Sequence, residues 1–367
     1  MQSQRIVVKL GTSVLTNGTR QLNRQRMLEI VQQVAHLHQQ GHEMVVVSSG
    51  AMAAGRERLG FPDLGRSVPA KQMLSAVGQG RLLHIYSELF DIFEIIVGQV
   101  LLTRDDLGNR TRYLNARDTL TTLIERRIIP IINENDTTAT HEIRVGDNDN
   151  LSALVASLLE ADLLVILTDQ PGLFTADPRH DSSARLIPQV AHIDEATWAL
   201  AGGTATGLGT GGMVTKIQAA QLASRSGVTT IIASGSEPDV LARIIGGELL
   251  GTRFEPVNSH LEGRKRWLLA EKPRGTVIVD AGAARKLLKG GASLLPVGIT
   301  DVESNFERGE ALAVVGPDGV KIAHGLTNYA SSELRKLRGV QSSQIVEILG
   351  YTYGDAVIHR NNMVLWT

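Results

Sequence analysis

Arg5-Ile6-Val7-Val8-Lys9-Leu10 and Met44-Val45-Val46-Val47-Ser48, with one helical segment between them, decide the architecture of this chain. Both runs are apolar with almost no polar alternation, which is how strands covered on both faces read. The intervening Arg24–Gln39 places Met27, Ile30, Val31, Val34 and Leu37 on one stripe, with Asn23 where an N-cap belongs and Gly41 just past the end. Strand, helix, strand is the unit of a parallel sheet. Working outward, the same reading predicts strands at residues 95–102, 128–132, 163–168 and 229–233. Helices are expected near 69–90, 112–127, 150–160 and 213–226. The expected fold is a three-layer αβα sandwich around a mainly parallel sheet.

The texture changes after residue 251, where long helical periods give way to short strand-like pieces at 276–279, 311–315 and 320–323, punctuated by glycine. Residues 1–251 are therefore expected to form one domain, 252–273 a linker, and 274–367 a small, mostly β domain. The length of 367 residues agrees with two domains. A hydrophobic fraction of 43% and a charged fraction of 20% exclude a disordered, collagenous or coiled-coil chain. With 37 basic and 38 acidic residues, no global field draws the chain to nucleic acid or a membrane. The chain has no cysteine, which removes disulfides, thiolate catalysis and Cys-ligated zinc or iron–sulfur clusters from consideration. No secretory h-region and no apolar run of ~18 residues is present, so a cytoplasmic protein without membrane contact is expected.

Ligands of parallel α/β sheets sit beyond the carboxyl ends of the strands, so the segments following each strand carry the functional signal. Lys9 interrupts an apolar run and is followed by Gly11-Thr12-Ser13; it reads as a ligand for an anion, or as a lysine reaching for water. Ser48-Ser49-Gly50-Ala51 offers free amides to a carboxylate or phosphate, or is an ordinary helix cap. Asn133-Glu134-Asn135-Asp136 and Gly146-Asp147-Asn148-Asp149-Asn150 are Asx-rich beyond what one cap requires. Such groups suit a substrate ammonium, a neighbouring lysine, or Mg²⁺ through water. The second cluster lacks the Gly and Glu spacing of a calcium loop. Thr168-Asp169 closes the strand at 163–168 and suggests a nucleotide contact.

The richest stretch is Gly207-Leu208-Gly209-Thr210-Gly211-Gly212-Met213-Val214-Thr215-Lys216. Its glycines expose backbone amides, a helix begins near Met213, and Lys216 lies about one turn in. This is the makeup of a phosphate cradle with a neutralising lysine. Two other glycine patterns do not apply: no strand precedes the loop, as a dinucleotide fold requires, and Lys does not directly follow the last Gly, as a Walker A loop requires.

Taken in order, Lys-Leu-Gly-Thr-Ser (9–13), Ser-Ser-Gly-Ala (48–51), Asn-Glu-Asn-Asp (133–136), Gly-Asp-Asn-Asp-Asn-Leu-Ser (146–152), Leu-Thr-Asp (167–169) with Gly-Leu-Phe (172–174), and Gly-Thr-Gly-Gly-Met-Val-Thr-Lys (209–216) resemble the amino-acid kinase family. The C-terminal part, with Ser293-Leu294-Leu295-Pro296-Val297-Gly298-Ile299 and Phe306-Glu307-Arg308-Gly309-Glu310, looks like a PUA domain. The resemblance covers essentially the whole chain; Ser48 stands where relatives often carry Thr.

Within the family the likeness is to members that phosphorylate the γ-carboxylate of glutamate with ATP and Mg²⁺, the first step of proline synthesis. The resemblance implies that Lys9 and Lys216 contact the transferring phosphoryl group and that Asp149 organises both. It places Ser49, Gly50, Asp136 and Asn148 on glutamate, and Lys9, Thr168, Asp169, Thr210, Gly211, Gly212, Met213, Val214, Thr215 and Lys216 on ATP. It assigns no residue as a metal ligand. It also implies proline as a feedback inhibitor, a homo-oligomer (dimer or tetramer), and handover of the acyl phosphate to glutamyl-phosphate reductase. The alternatives are a kinase for another acidic amino acid or for carbamate, and an RNA-binding protein working through the PUA-like domain. For the RNA reading, Arg264-Lys265-Arg266-Trp267 is the best basic–aromatic candidate.

The chemistry fits these residue types. A glutamate carboxylate, with a pKa of ~4.3, is ionised at neutral pH and needs no general base. The obstacle is charge, since each like-charge pair at ~4 Å and an effective dielectric near 20 costs roughly 4 kcal/mol. Lysines and backbone amides answer that problem.

Overall fold

The computed structural model describes residues 3–65, 67–139, 147–202, 212–257, 268, 271–289 and 291–366. The chain divides into two compact units, Met1–Ser259 and His260–Thr367.

The first unit is built on an eight-stranded sheet. Its strands are β1 (Arg5–Leu10), β2 (Glu43–Ser48), β3 (Val97–Leu102), β4 (Ile129–Glu134), β5 (Leu163–Thr168), β6 (Gln189–Val190), β7 (Thr229–Ser234) and β8 (Thr252–Phe254). The order is β3-β4-β2-β1-β5-β7-β8-β6. β3, β4, β2, β1, β5 and β7 run parallel, and β8 joins β7 antiparallel, with β6 parallel to β8. Residues 252–254, expected to open a linker, instead extend the sheet. Thr252 holds that edge, its Oγ1 accepting from the Leu173 amide at 2.8 Å and donating to the Ile187 carbonyl at 2.7 Å.

Each face of the sheet is covered by helices, which gives the expected three layers. On one face Ile6, Val8 and Leu10 pack with Met27, Ile30, Val31, Val34 and Leu37 of the Arg24–Gln39 helix. That helix starts where the sequence indicates, with the Asn23 side chain accepting from the Arg26 amide at 3.0 Å. On the other face Val7 packs with the helices Arg110–Glu125, Asp147–Leu158 and Met213–Arg225. Side chains alternate along a strand, so Lys9 shares the face of Val7. It is therefore delivered among the helices that carry the Asx cluster and the glycine loop.

β1 lies between β2 and β5, and its register pairs Lys9 with Val47 and Ile166. The chain leaves β1 in both directions across the sheet, which makes the carboxyl end of β1 a topological switch point. Beside it, the helices Ala51–Arg58 and Val68–Asp91 touch backbone to backbone. A Cβ on Gly78 would lie 1.8 Å from the Ala51 carbonyl oxygen, and one on Gly55 would lie 2.0 Å from that of Leu74. Only glycine permits this approach, and it fixes the Ser49-Gly50 turn against the longer helix.

The second unit carries a five-stranded sheet: β9 (Gly275–Val279), β10 (Ile299–Glu303), β11 (Ala311–Val315), β12 (Lys321–Leu326) and β13 (Met363–Leu365), in the order β10-β9-β11-β12-β13. β9 and β11 are parallel and the remaining pairs antiparallel. Val277, Val279, Leu312, Val314, Tyr329 and Leu334 lie in its core. Among the described residues no helix is long and apolar enough to cross a membrane.

Gly78→Ala is expected to destabilise the first unit by about 1–3 kcal/mol through overpacking. Thermal denaturation checks the loss, and an unchanged melting temperature would contradict the close approach.

Candidate active site

Three elements bring charge to one point. Lys9 comes from the end of β1. The helix Asp147–Leu158 begins three residues earlier than the sequence suggests, so Asn148 and Asp149 lie in its first turn rather than in a capping loop. The helix Met213–Arg225 follows Gly212 (φ +79°), a backbone conformation that favours glycine, and presents Thr215 and Lys216 in its own first turn.

Asp149 joins these elements. Its Oδ1 pairs with Lys9 Nζ at 2.6 Å and its Oδ2 with Lys216 Nζ at 3.3 Å. Thr215 Oγ1 donates to the same Oδ2 at 2.7 Å, and Lys216 Nζ also donates to the Gly212 carbonyl at 3.3 Å. The Asp149 side chain is only 1% exposed. Burial pushes its carboxyl upward, but the charges of Lys9 and Lys216 and the bonds from Lys9 and Thr215 outweigh it and hold Asp149 below the usual aspartate range. Burial lowers Lys9 from the usual lysine range; Asp149 opposes this and the charge of Lys216 adds to it.

Both lysines line a single cavity of about 1030 Å³. Ser49, Gly50, Asn133, Asp136, Asn148, Asp149, Gly212 and Thr215 share its wall. Gly50 takes φ +101° at the start of the Ala51–Arg58 helix. Asn148 Nδ2 donates to Ser49 Oγ at 2.9 Å, to Asn133 Oδ1 at 3.0 Å and to the Ser48 carbonyl at 3.2 Å. Asp136 accepts from the Ser75 hydroxyl. Ser48 Oγ meets the buried Tyr86 hydroxyl at 2.8 Å.

The expected set is thus largely brought together: Lys9, Ser49, Gly50, Asp136, Asn148, Asp149, Gly212, Thr215 and Lys216 surround one space. Thr168 and Asp169 are not among the residues lining it; Thr168 Oγ1 bonds Asp169 Oδ1 at 3.0 Å at the end of β5. The side chain of Val214 is buried in the core, and Met213 packs against that core. Thr210, Gly211 and the Arg264–Trp267 stretch (264–267) lie outside the described residues. The cavity adds residues that the sequence did not single out, Arg20 and Arg56 among them, and nothing local marks either; Asn133, quoted in its Asx cluster, lines the wall too.

The amino acid kinase family profile matches residues 4–234. The chain belongs to this family. A PUA domain profile matches residues 275–349. Among curated relatives, the glutamate 5-kinase of Herpetosiphon aurantiacus is 57% identical over 361 residues, covering 98% of both chains. The glutamate 5-kinase of Klebsiella pneumoniae subsp. pneumoniae is 54% identical over 364 residues, covering 99% of both. Among solved structures, a UMP kinase from Bacillus anthracis aligns with a TM-score of 0.49 at 17% identity, covering 70% of this chain and 97% of its own. This member of the amino acid kinase family is accordingly a kinase, an enzyme that uses ATP.

Asp149→Asn leaves two buried ammonium groups without their counter-ion. It is expected to lower stability by about 3 kcal/mol or more, the usual result of breaking a buried pair. The folded pKa of Asp149 lies below its unfolded value, so its contribution is fully present above the unfolded pKa and is lost as pH falls through the folded one. Denaturation curves of wild type and variant should therefore differ most near neutrality and converge only below about pH 4.

Proposed function

We propose that the first unit transfers the γ-phosphoryl group of ATP to the γ-carboxylate of L-glutamate, forming the mixed anhydride L-glutamyl 5-phosphate. The observation that carries the chemistry is the pair of lysines bridged by Asp149 at the wall of one cavity. The acceptor is supported by the near full-length identity to glutamate 5-kinases.

The acceptor carboxylate arrives already ionised, and no proton has to be removed from it. Lys9 and Lys216 place two ammonium groups where the transferring phosphoryl group gathers charge, while Asp149 keeps both extended and oriented. Amides of Gly212 and of the start of the Met213–Arg225 helix hold phosphate oxygens, and the family resemblance adds Thr210 and Gly211 to that set. Thr168 and Asp169 serve the nucleoside end. Catalysis on this reading is positioning plus electrostatic stabilisation.

Mg²⁺ fits as an ion brought by the nucleotide, because it commonly keeps several waters and takes one or two carboxylates plus phosphate oxygens. The described residues hold no group of three His, Cys, Asp or Glu suited to a metal, and Asp149 is committed to the lysines. Besides Asp149, the described residues place the carboxylates of Asp63, Glu134 and Asp136 on the cavity wall. When bound, the ion neutralises phosphate charge.

Ser49, Gly50, Asp136 and Asn148 form the glutamate end, with Asp136 facing the free α-ammonium. An N-acetylated acceptor would have no use for that carboxylate, and no observation favours carbamate or an RNA-binding role. Residues 274–367 are assigned as the PUA-like domain after a linker. A homo-oligomer is supported by Met73 and Val77, exposed one turn apart, and by exposed Ile92 and Ile96 beside the edge strand β3. Proline inhibition, a cytoplasmic setting and handover to glutamyl-phosphate reductase follow from the family resemblance.

Hydroxylamine trapping with ATP and a panel of acidic amino acids tests the reaction: glutamate should give the hydroxamate, and proline should suppress it. Lys9→Ala and Lys216→Ala should each lower kcat by ~10²-fold or more, the scale for losing one group that stabilises developing charge. Normal turnover in either variant would refute the mechanism. Asp136→Asn should raise the glutamate KM about 10-fold, as loss of a charged hydrogen bond implies, and leave the ATP KM nearly unchanged.

A further inference from the structure

Hydrogen-bond polarity runs in one direction through the glutamate end of the cavity. Two backbone groups set it. The amide of Glu134 can only donate, and it lies 2.9 Å from the Asn133 side chain, so the atom facing it is Oδ1. The carbonyl of Ser48 can only accept, and it lies 3.2 Å from the Asn148 side chain, so the atom facing it is Nδ2. Both amides are thereby fixed without reference to any ligand.

The rest follows by donor and acceptor count. Asn133, with Oδ1 committed, turns Nδ2 to Gln79 Oε1 at 2.7 Å. Asn148 Nδ2 meets Asn133 Oδ1 at 3.0 Å and Ser49 Oγ at 2.9 Å, so with the Ser48 carbonyl three acceptors share its two hydrogens, and an amide nitrogen cannot itself accept. Ser49 Oγ is therefore the acceptor in its bond to Asn148. A hydroxyl has one hydrogen, and no acceptor for that of Ser49 is present among the described residues. Ser49 lines the cavity, so its hydrogen is left for a ligand oxygen.

We propose that Asn133 and Gln79 are positioning residues that hold the Ser49 hydroxyl as a hydrogen-bond donor toward a carboxylate oxygen of the acceptor substrate. The inference rests on the glutamate reading above and extends it to two residues that touch no reacting atom. Gln79 reaches Asn133 because its neighbour Gly78 lets the Val68–Asp91 helix close on Ala51. Without Asn133 Oδ1 the Asn148 amide keeps its orientation toward the Ser48 carbonyl but loses one of the acceptors that hold it in place, and with it the placement of Nδ2 against Ser49 Oγ.

The test is a double-mutant cycle read by glutamate and ATP KM in the hydroxamate assay. Asn133→Leu should raise the glutamate KM about 10-fold, the scale of one hydrogen bond to a charged group, with the ATP KM within about 2-fold. Combined with Ser49→Ala, it should add almost nothing to the effect of Ser49→Ala alone, because the two act through one bond. Gln79→Glu keeps an acceptor for Asn133 and should stay within about 2-fold of wild type, whereas Gln79→Leu should raise the glutamate KM several-fold. Additive effects of Asn133→Leu and Ser49→Ala, equal effects on both substrates, or equal effects of the two Gln79 variants would overturn the proposal. Should Asn133→Leu not fold by circular dichroism, the Gln79 pair, cycled against Ser49→Ala, decides. If wild type turns over another carboxylate in place of glutamate, the substrate reading falls, and the same cycle on that acceptor decides the relay.

Discussion

A single carboxylate shared by two ammonium groups is the constraint on which the rest of the first unit turns. Burying an ion costs several kcal/mol unless it is paired and its remaining valences are filled. Asp149 meets that condition with Lys9 on one oxygen and with Lys216 and Thr215 on the other. The trio carries one positive charge in excess, at the wall of the cavity where the proposed reaction would bring two anions together. The pairing is therefore both a condition of folding and the source of the field the chemistry uses.

That trio is assembled by sheet geometry. Lys9 reaches it only because side chains alternate along β1, which sets Lys9 beside Val7 and opposite Ile6, Val8 and Leu10. A register slip of one residue would turn the lysine onto the other face, among Met27, Ile30 and Leu37. The register is held on both sides, by β2 and by β5, over five or more residue pairs each. A charged side chain at the end of a central strand is thus fixed more firmly than any loop residue could be.

This arrangement explains which features the sequence made legible. The β1 run, the Arg24–Gln39 helix and its Asn23 cap depend on local pattern, and they appear with the expected bounds. Lys9 stood out because a lysine in an apolar strand needs a reason. The Asp147–Asn150 segment misled in detail. Asx residues favour caps over helix interiors, so a start near Asn150 was the natural reading. The helix starts at Asp147 instead, with Asp149 secured by two lysines from distant segments. Strands β6 and β8 are two and three residues long and leave too little pattern to detect. The role of Asn133 was out of reach for a different reason. Its partners lie 15 and 54 positions away in the chain, and which of its atoms faces which partner is a tertiary fact.

Consecutive residues of an α-helix diverge by about 100° around the axis. Asn148 and Asp149 are consecutive, and they serve the two ends of one cavity: Asn148 contacts Ser49 and Asn133, while Asp149 contacts Lys9 and Lys216. On the proposed reading, one helical step therefore sets the spacing between the group that would orient the acceptor and the groups that would receive the phosphoryl charge. In a transfer governed by positioning, that spacing decides whether carboxylate oxygen and phosphorus meet in line. The buried Leu151, Val155 and Leu158 of the same helix hold it against the sheet, so on that reading the hydrophobic core would set the reaction distance.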